Sequence, residues 1–149
     1  MNIFKKIILT LGLIIAGIII LIIFTGAMKK PRGIEVVVTV SPVDASALAT
    51  EVIYSIKNTS DKTHEITSID IDKAVLEQFA LKSTSLPYVE EYTFNTIYER
   101  TYGFMHNIAP GESIDITFTY IGTRNNNLYT RTYVCIDGPG RCIERSTLL

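Results

Sequence analysis

The sequence predicts an all-β passenger, a two-sheet antiparallel β-sandwich, preceded by one N-terminal transmembrane helix. Three observations carry this reading. Residues 7–24, IILTLGLIIAGIIILIIF, form an apolar run without a charge. From residue 34 onward the chain breaks into seven or eight short alternating stretches separated by polar turns. The strand–helix–strand rhythm of a parallel sheet is absent from these stretches.

The apolar run comes first. A helix rises about 1.5 Å per residue, so about 20 apolar residues cross the hydrocarbon core. Residues 7–28 reach that length. A lone segment in lipid must satisfy its own backbone polar groups, so it must be helical despite its many isoleucines. The expected organisation is a cytoplasmic tail at 1–6, a signal anchor at 7–28, a juxtamembrane linker at 29–33 and a sandwich domain at 34–149. The alternative for the first segment is a cleaved signal peptide, with Lys5 and Lys6 as its basic start and Thr25-Gly26-Ala27 as the cleavage site. Lys29, Lys30 and Arg32 balance Lys5 and Lys6, so flanking charge alone does not orient the span. A short leading tail and the cysteines favour a cytoplasmic N-terminus and an extracytoplasmic domain.

Charge is divided unevenly. Of 14 basic residues five precede Ile34, and all 15 acidic residues follow it. The passenger carries 9 basic against 15 acidic residues, a net of −6, which argues against nucleic acid as a partner and against close adsorption of the domain on anionic lipid, with the basic cluster at 29–32 at the headgroups. The expected partners are the bilayer, through residues 7–28, and a protein.

The passenger's elements follow in order. Residues 33–40, GIEVVVTV, alternate with Val36, Val38 and Val40 on one face, and 41–44, SPVD, end the strand with turn chemistry. Residues 47–57 form a second strand with Val52, Tyr54 and Ile56 inward; 58–62, NTSDK, read as a polar turn. Residues 64–71 form a third, with Thr67, Ile69 and Ile71 on one side. At 72–80, DKAVLEQFA, the period shifts to helical and Asp72 is a good N-cap, so a short helix crosses between sheets. Residues 81–92 read as a loop, 93–98 as a short strand and 100–107 as a longer one. Ala109-Pro110-Gly111-Glu112 is a tight turn. Residues 113–121, SIDITFTYI, give the cleanest alternation, with Ile114, Ile116, Phe118 and Tyr120 inward. Residues 128–136 and 141–145 are two strands around Asp137-Gly138-Pro139-Gly140.

The segments YSIKNTSDK (54–62) and IAPGESIDITFTYIG (108–122) resemble bacterial extracellular Ig-like β-sandwich modules of the CARDB type, and adaptin-ear-like sandwiches. The resemblance implies an Ig-like fold and an adhesion, spacer or protein-binding role, with no catalytic residues to carry over. The 72–92 insertion and the two cysteines depart from that pattern.

Candidate chemistry is sparse. Cys135 and Cys142 flank IDGPGR. If 137–140 turn, the two stand opposite each other on adjacent strands, within reach of a disulfide. Two reduced core cysteines are the alternative. Asp70 and Asp72, with Asp61 or Glu65, lack a glycine-bearing calcium loop and read as solvated turn carboxylates. His64 and His106 read as surface or turn residues. No nucleophile elbow, phosphate loop or zinc helix is present, so no catalytic residue, metal site or cofactor is expected. Tyr88, Tyr92, Tyr98 and Tyr102 cluster beside Phe94 and Phe104. They read as a packed strand face or as a patch for a protein partner. The resulting expectation is a binding or scaffolding module in an envelope or cell-surface assembly, not an enzyme; a secreted domain and an envelope enzyme are the alternatives.

Overall fold

A computed structural model describes residues 31–44, 49–93, 99–122, 128–138 and 140–148. The apolar segment at 7–28 lies outside them. Among the described residues no helix is long and apolar enough to cross a membrane.

In the described residues nine strands form two antiparallel sheets. They are β1 (Ile34–Asp44), β2 (Ala49–Asn58), β3 (His64–Asp72), β4 (Phe79–Thr84), β5 (Glu90–Thr93), β6 (Glu99–Ile108), β7 (Ser113–Gly122), β8 (Tyr129–Ile136) and β9 (Cys142–Leu148). One helix, α1 (Lys73–Gln78), lies between β3 and β4. The first sheet has the order β1-β2-β7-β4 and the second β5-β6-β3-β8-β9. The sandwich follows from the alternation: one residue in two along each strand is apolar and must face another layer. Val36, Val52, Tyr54, Ile56, Ile116, Phe118 and Tyr120 of the first sheet meet Ile66, Ile69, Ile71, Tyr102, Phe104, Val134, Ile136 and Ile143 of the second. Phe118 sits at the centre, its ring 5.4 Å from those of both Tyr54 and Tyr102.

Asp72 caps α1 through Ala74 N–H, as its position before the helical stretch predicts. The helix carries the chain from the second sheet to the first, burying Val75. Gly122 packs against this crossover; a Cβ there would fall 2.5 Å from the Gln78 carbonyl.

Four expectations need correction. The SPVD stretch continues β1, with a register shift between Pro42 and Asp44. Because β1 is an edge strand, Pro42 can sit where no ladder donor is needed. Residues 81–92 are not one loop: they hold most of β4 and most of β5. Neither strand alternates cleanly, and each is fixed by pairing at a sheet edge. The face of β3 changes where register shifts between Ile66 and Ser68, so Ile66 joins Ile69 and Ile71 inside and Thr67 does not. Asn58 does not belong to the polar turn; it ends β2 fully buried.

Candidate functional site

The chain enters the sandwich at an end built from residues 31–33, the β2–β3 connection, the β6–β7 turn and the β8–β9 hairpin. Asn58 organises this end. Its side-chain amide donates to the carbonyls of Lys62 (2.7 Å) and Ile108 (3.0 Å), and its Oδ1 accepts from Ser60 N–H (3.0 Å) and Ser60 Oγ (2.8 Å). Its backbone accepts from Gly111 N–H and donates to the Glu112 carbonyl, each at 2.9 Å. Thr59 N–H donates to the Gly33 carbonyl at 2.7 Å. Gly33 lies on Ser60 so closely that a Cβ would fall 2.5 Å from Ser60 Cβ, and its φ of +75° is one that side chains disfavour.

His64 opens β3 beside this knot. Its Nδ1 lies 2.6 Å from Asp137 Oδ2 and its Nε2 lies 3.0 Å from Ser60 Oγ. Asp137, at φ +57° in the β8–β9 hairpin, also accepts Glu65 N–H through Oδ1, while its own N–H donates to the Glu65 carbonyl, both at 2.9 Å. Partial burial raises the Asp137 pKa. The Glu65 N–H, His64 and the positive charge of Arg141 outweigh that, and the carboxyl sits below its usual range. Asp137 is therefore ionised and acceptor-only, which puts a hydrogen on His64 Nδ1.

These groups line a cleft of about 280 Å³, completed by Pro31, Arg32, Asp61, Lys62 and Arg141. Among the described residues none of Arg32, Lys62 and Arg141 forms a salt bridge. In a passenger with excess acid, this cleft gathers three cations and a histidine around two carboxylates, one of them already held by His64.

The row Ser60–His64–Asp137 has the connectivity of a nucleophile, base and orienting acid. Its surroundings do not complete that chemistry. Ser60 Oγ accepts Lys62 N–H at 3.2 Å and has nearby acceptors in Asn58 Oδ1 and the Lys62 carbonyl. The backbone N–H groups of Thr59, Ser60 and Lys62 are all bonded within the knot. None of these three is left to stabilise an oxyanion. The expectation that His64 is a surface or turn residue is corrected: it is half-buried at the start of β3 and joins two connections. Its partner is 73 positions away, so spacing gave no signal.

The predicted disulfide is present. Cys135 and Cys142 are register partners of β8 and β9, with Cα atoms 4.0 Å apart and S–S 2.03 Å. Ile136 N–H donates to the Arg141 carbonyl, so the cysteines occupy the next, non-hydrogen-bonded position, where strands bring side chains closest. Asp70 does not lie in a turn. It is in β3, bonded to Ser68 Oγ, 3.5 Å from Cys135 Sγ. Burial raises its pKa against the opposing bonds from Thr101 and Ser68. Asp70, Cys135 and Cys142 are near enough to share an ion, but the sulfurs are bonded to each other and a metal needs thiolates.

Of the four tyrosines singled out, Tyr102 is 1% exposed and belongs to the core, offering a partner no surface. Tyr88 is 38% exposed and lies edge-on against Tyr102, with ring centroids 5.1 Å apart. The backbone of Tyr92 is in β5; Tyr98 lies outside the described residues, as does the Tyr92 side chain.

No family model and no curated protein matches the chain. Among solved structures it is similar to the GH20 exo β-N-acetylglucosaminidase from Vibrio harveyi in complex with N-acetylglucosamine, at 11% identity and a TM-score of 0.40. An inactive mutant of that enzyme matches at the same identity and TM-score. The alignments cover 77% and 78% of this chain but 17% of the enzyme, a likeness too slight to support an argument about activity.

Proposed function

We propose that this chain is a single-pass membrane protein that presents an Ig-like sandwich outside the cytoplasm and works by binding or scaffolding other proteins. The observation that carries the reading is the uncharged run at 7–24, followed after nine residues by a β-domain whose last hairpin holds a disulfide. Disulfides persist in oxidising compartments, which supports an extracytoplasmic domain. The resemblance of segments 54–62 and 108–122 to CARDB-type and adaptin-ear-like modules supports a binding role.

The test is topology followed by capture. A membrane-impermeant thiol reagent on intact cells should label Cys135 and Cys142 only after reduction, and the chain should remain in carbonate-washed membranes. Labelling that requires lysis overturns the orientation; release of the chain by carbonate overturns the anchor. Crosslinking in native membranes should then retain a defined protein partner.

A second reading, an envelope hydrolase, has the Ser60–His64–Asp137 distances in its favour and the occupied amides against it. A fluorophosphonate probe decides: modification of Ser60, lost in Ser60→Ala, would establish the hydrolase.

A further inference from the structure

We propose that the cleft formed by Arg32, Lys62, His64 and Arg141 binds a phosphate-bearing group, and that in the membrane this group is an anionic lipid headgroup. Three observations meet here. The cleft has room, about 280 Å³. Its three permanent cations come from separate places: the turn that leads into β1, the β2–β3 connection and the β8–β9 hairpin. Among the described residues none is neutralised by a salt bridge. Arginine heads suit the oxygens of a phosphate, and a lysine adds a mobile point charge. Of the two carboxylates, Asp137 is held mainly by His64 and the Glu65 N–H, with Arg141 acting on it through charge alone, and Asp61 leaves the cations in excess three to two.

Position supplies the source. Pro31 and Arg32 wall the cleft, and the apolar segment ends at Met28. Three residues span at most about 10 Å, so the cleft stays within headgroup reach of the bilayer. The lipid source rests on the membrane anchor proposed above; the phosphate chemistry does not.

The test uses the full chain. In detergent, inorganic phosphate is titrated against chloride at matched ionic strength while the His64 ring resonances are followed by NMR. The chain is then placed in nanodiscs of phosphatidylcholine with and without phosphatidylglycerol. Phosphate should saturate the His64 shift, and Arg141→Ala should weaken binding about tenfold, the effect of losing one charge-assisted contact. Arg141→Lys should recover part of that affinity. His64 should shift in the phosphatidylglycerol discs but not in phosphatidylcholine alone. Saturation by phosphate with no response to phosphatidylglycerol upholds the site and assigns it to a soluble phosphate. A chloride response equal to that of phosphate, or no effect of Arg141→Ala, overturns it. Release of the chain from carbonate-washed membranes would remove the anchor while leaving the detergent titration decisive for the cleft.

Discussion

The entry end of the sandwich and its aromatic centre treat buried polar atoms in opposite ways. At the entry end, Asn58 is fully buried and its side chain makes four hydrogen bonds. At the centre, Tyr120 is equally buried, and its hydroxyl finds no hydrogen-bond partner among the described residues. Burial, and the proximity of Tyr54 and Tyr102, push its pKa well above the usual tyrosine value, so it stays neutral. The difference shows where geometry is specified. A bonded polar knot fixes four chain segments relative to one another. The aromatic layer holds by area and edge-on ring contacts, and it tolerates an orphan oxygen at some cost.

Substitutions can break or sharpen this contrast. The largest effect is expected for Asn58→Ala, which strands the carbonyls of Lys62 and Ile108 and should cost about 3–4 kcal/mol in urea unfolding of the solubilised chain. A loss under 1 kcal/mol would mean the knot is not holding the end together. Replacing both Cys135 and Cys142 by Ala should cost about 2–3 kcal/mol, as expected for a short closed loop, and reductant should destabilise the native chain but not the variant.

Asp137→Asn should cost about 1 kcal/mol at neutral pH, diminishing with salt because the pair is partly exposed. Asparagine accepts the positive φ of this position, so the change isolates the charge. The pKa of Asp137 is lowered in the folded state. Its contribution is therefore complete above the ordinary carboxylate range, about pH 4, and fades as pH falls through the depressed value. Asp70 is raised, so it acts with opposite sign: acidification through its folded value adds stability. At neutral pH Asp137→Asn should therefore be less stable and Asp70→Asn more stable than the native chain, and both differences should shrink as acid protonates the native carboxylates. The smallest effect is Tyr120→Phe, which removes the orphan hydroxyl and should change stability by less than about 1 kcal/mol, in the stabilising direction. A clear loss would reveal a partner for that oxygen.

Much of the fold was legible because alternation is a local property. Val52, Tyr54 and Ile56, and then Ile116, Phe118 and Tyr120, face the core as their spacing predicts. The capped turn at Asp72 and the Cys135–Cys142 pair were also readable, since each depends on residues a few positions apart. β4 and β5 were not. Their sequences carry no strong period, and only the neighbouring strands β7 and β6 make them strands.

The sequence by itself determined a charge-free apolar segment, a β-rich acidic passenger and a cysteine hairpin, because composition, period and short spacing are written along the chain. The tertiary structure alone decided that Asn58 is interior, that Tyr102 is core, and that His64 meets Asp137 beside three cations. Those juxtapositions join residues up to 109 positions apart, from Arg32 to Arg141. Closing loops of that length is set by how the two sheets stack, which no local pattern encodes.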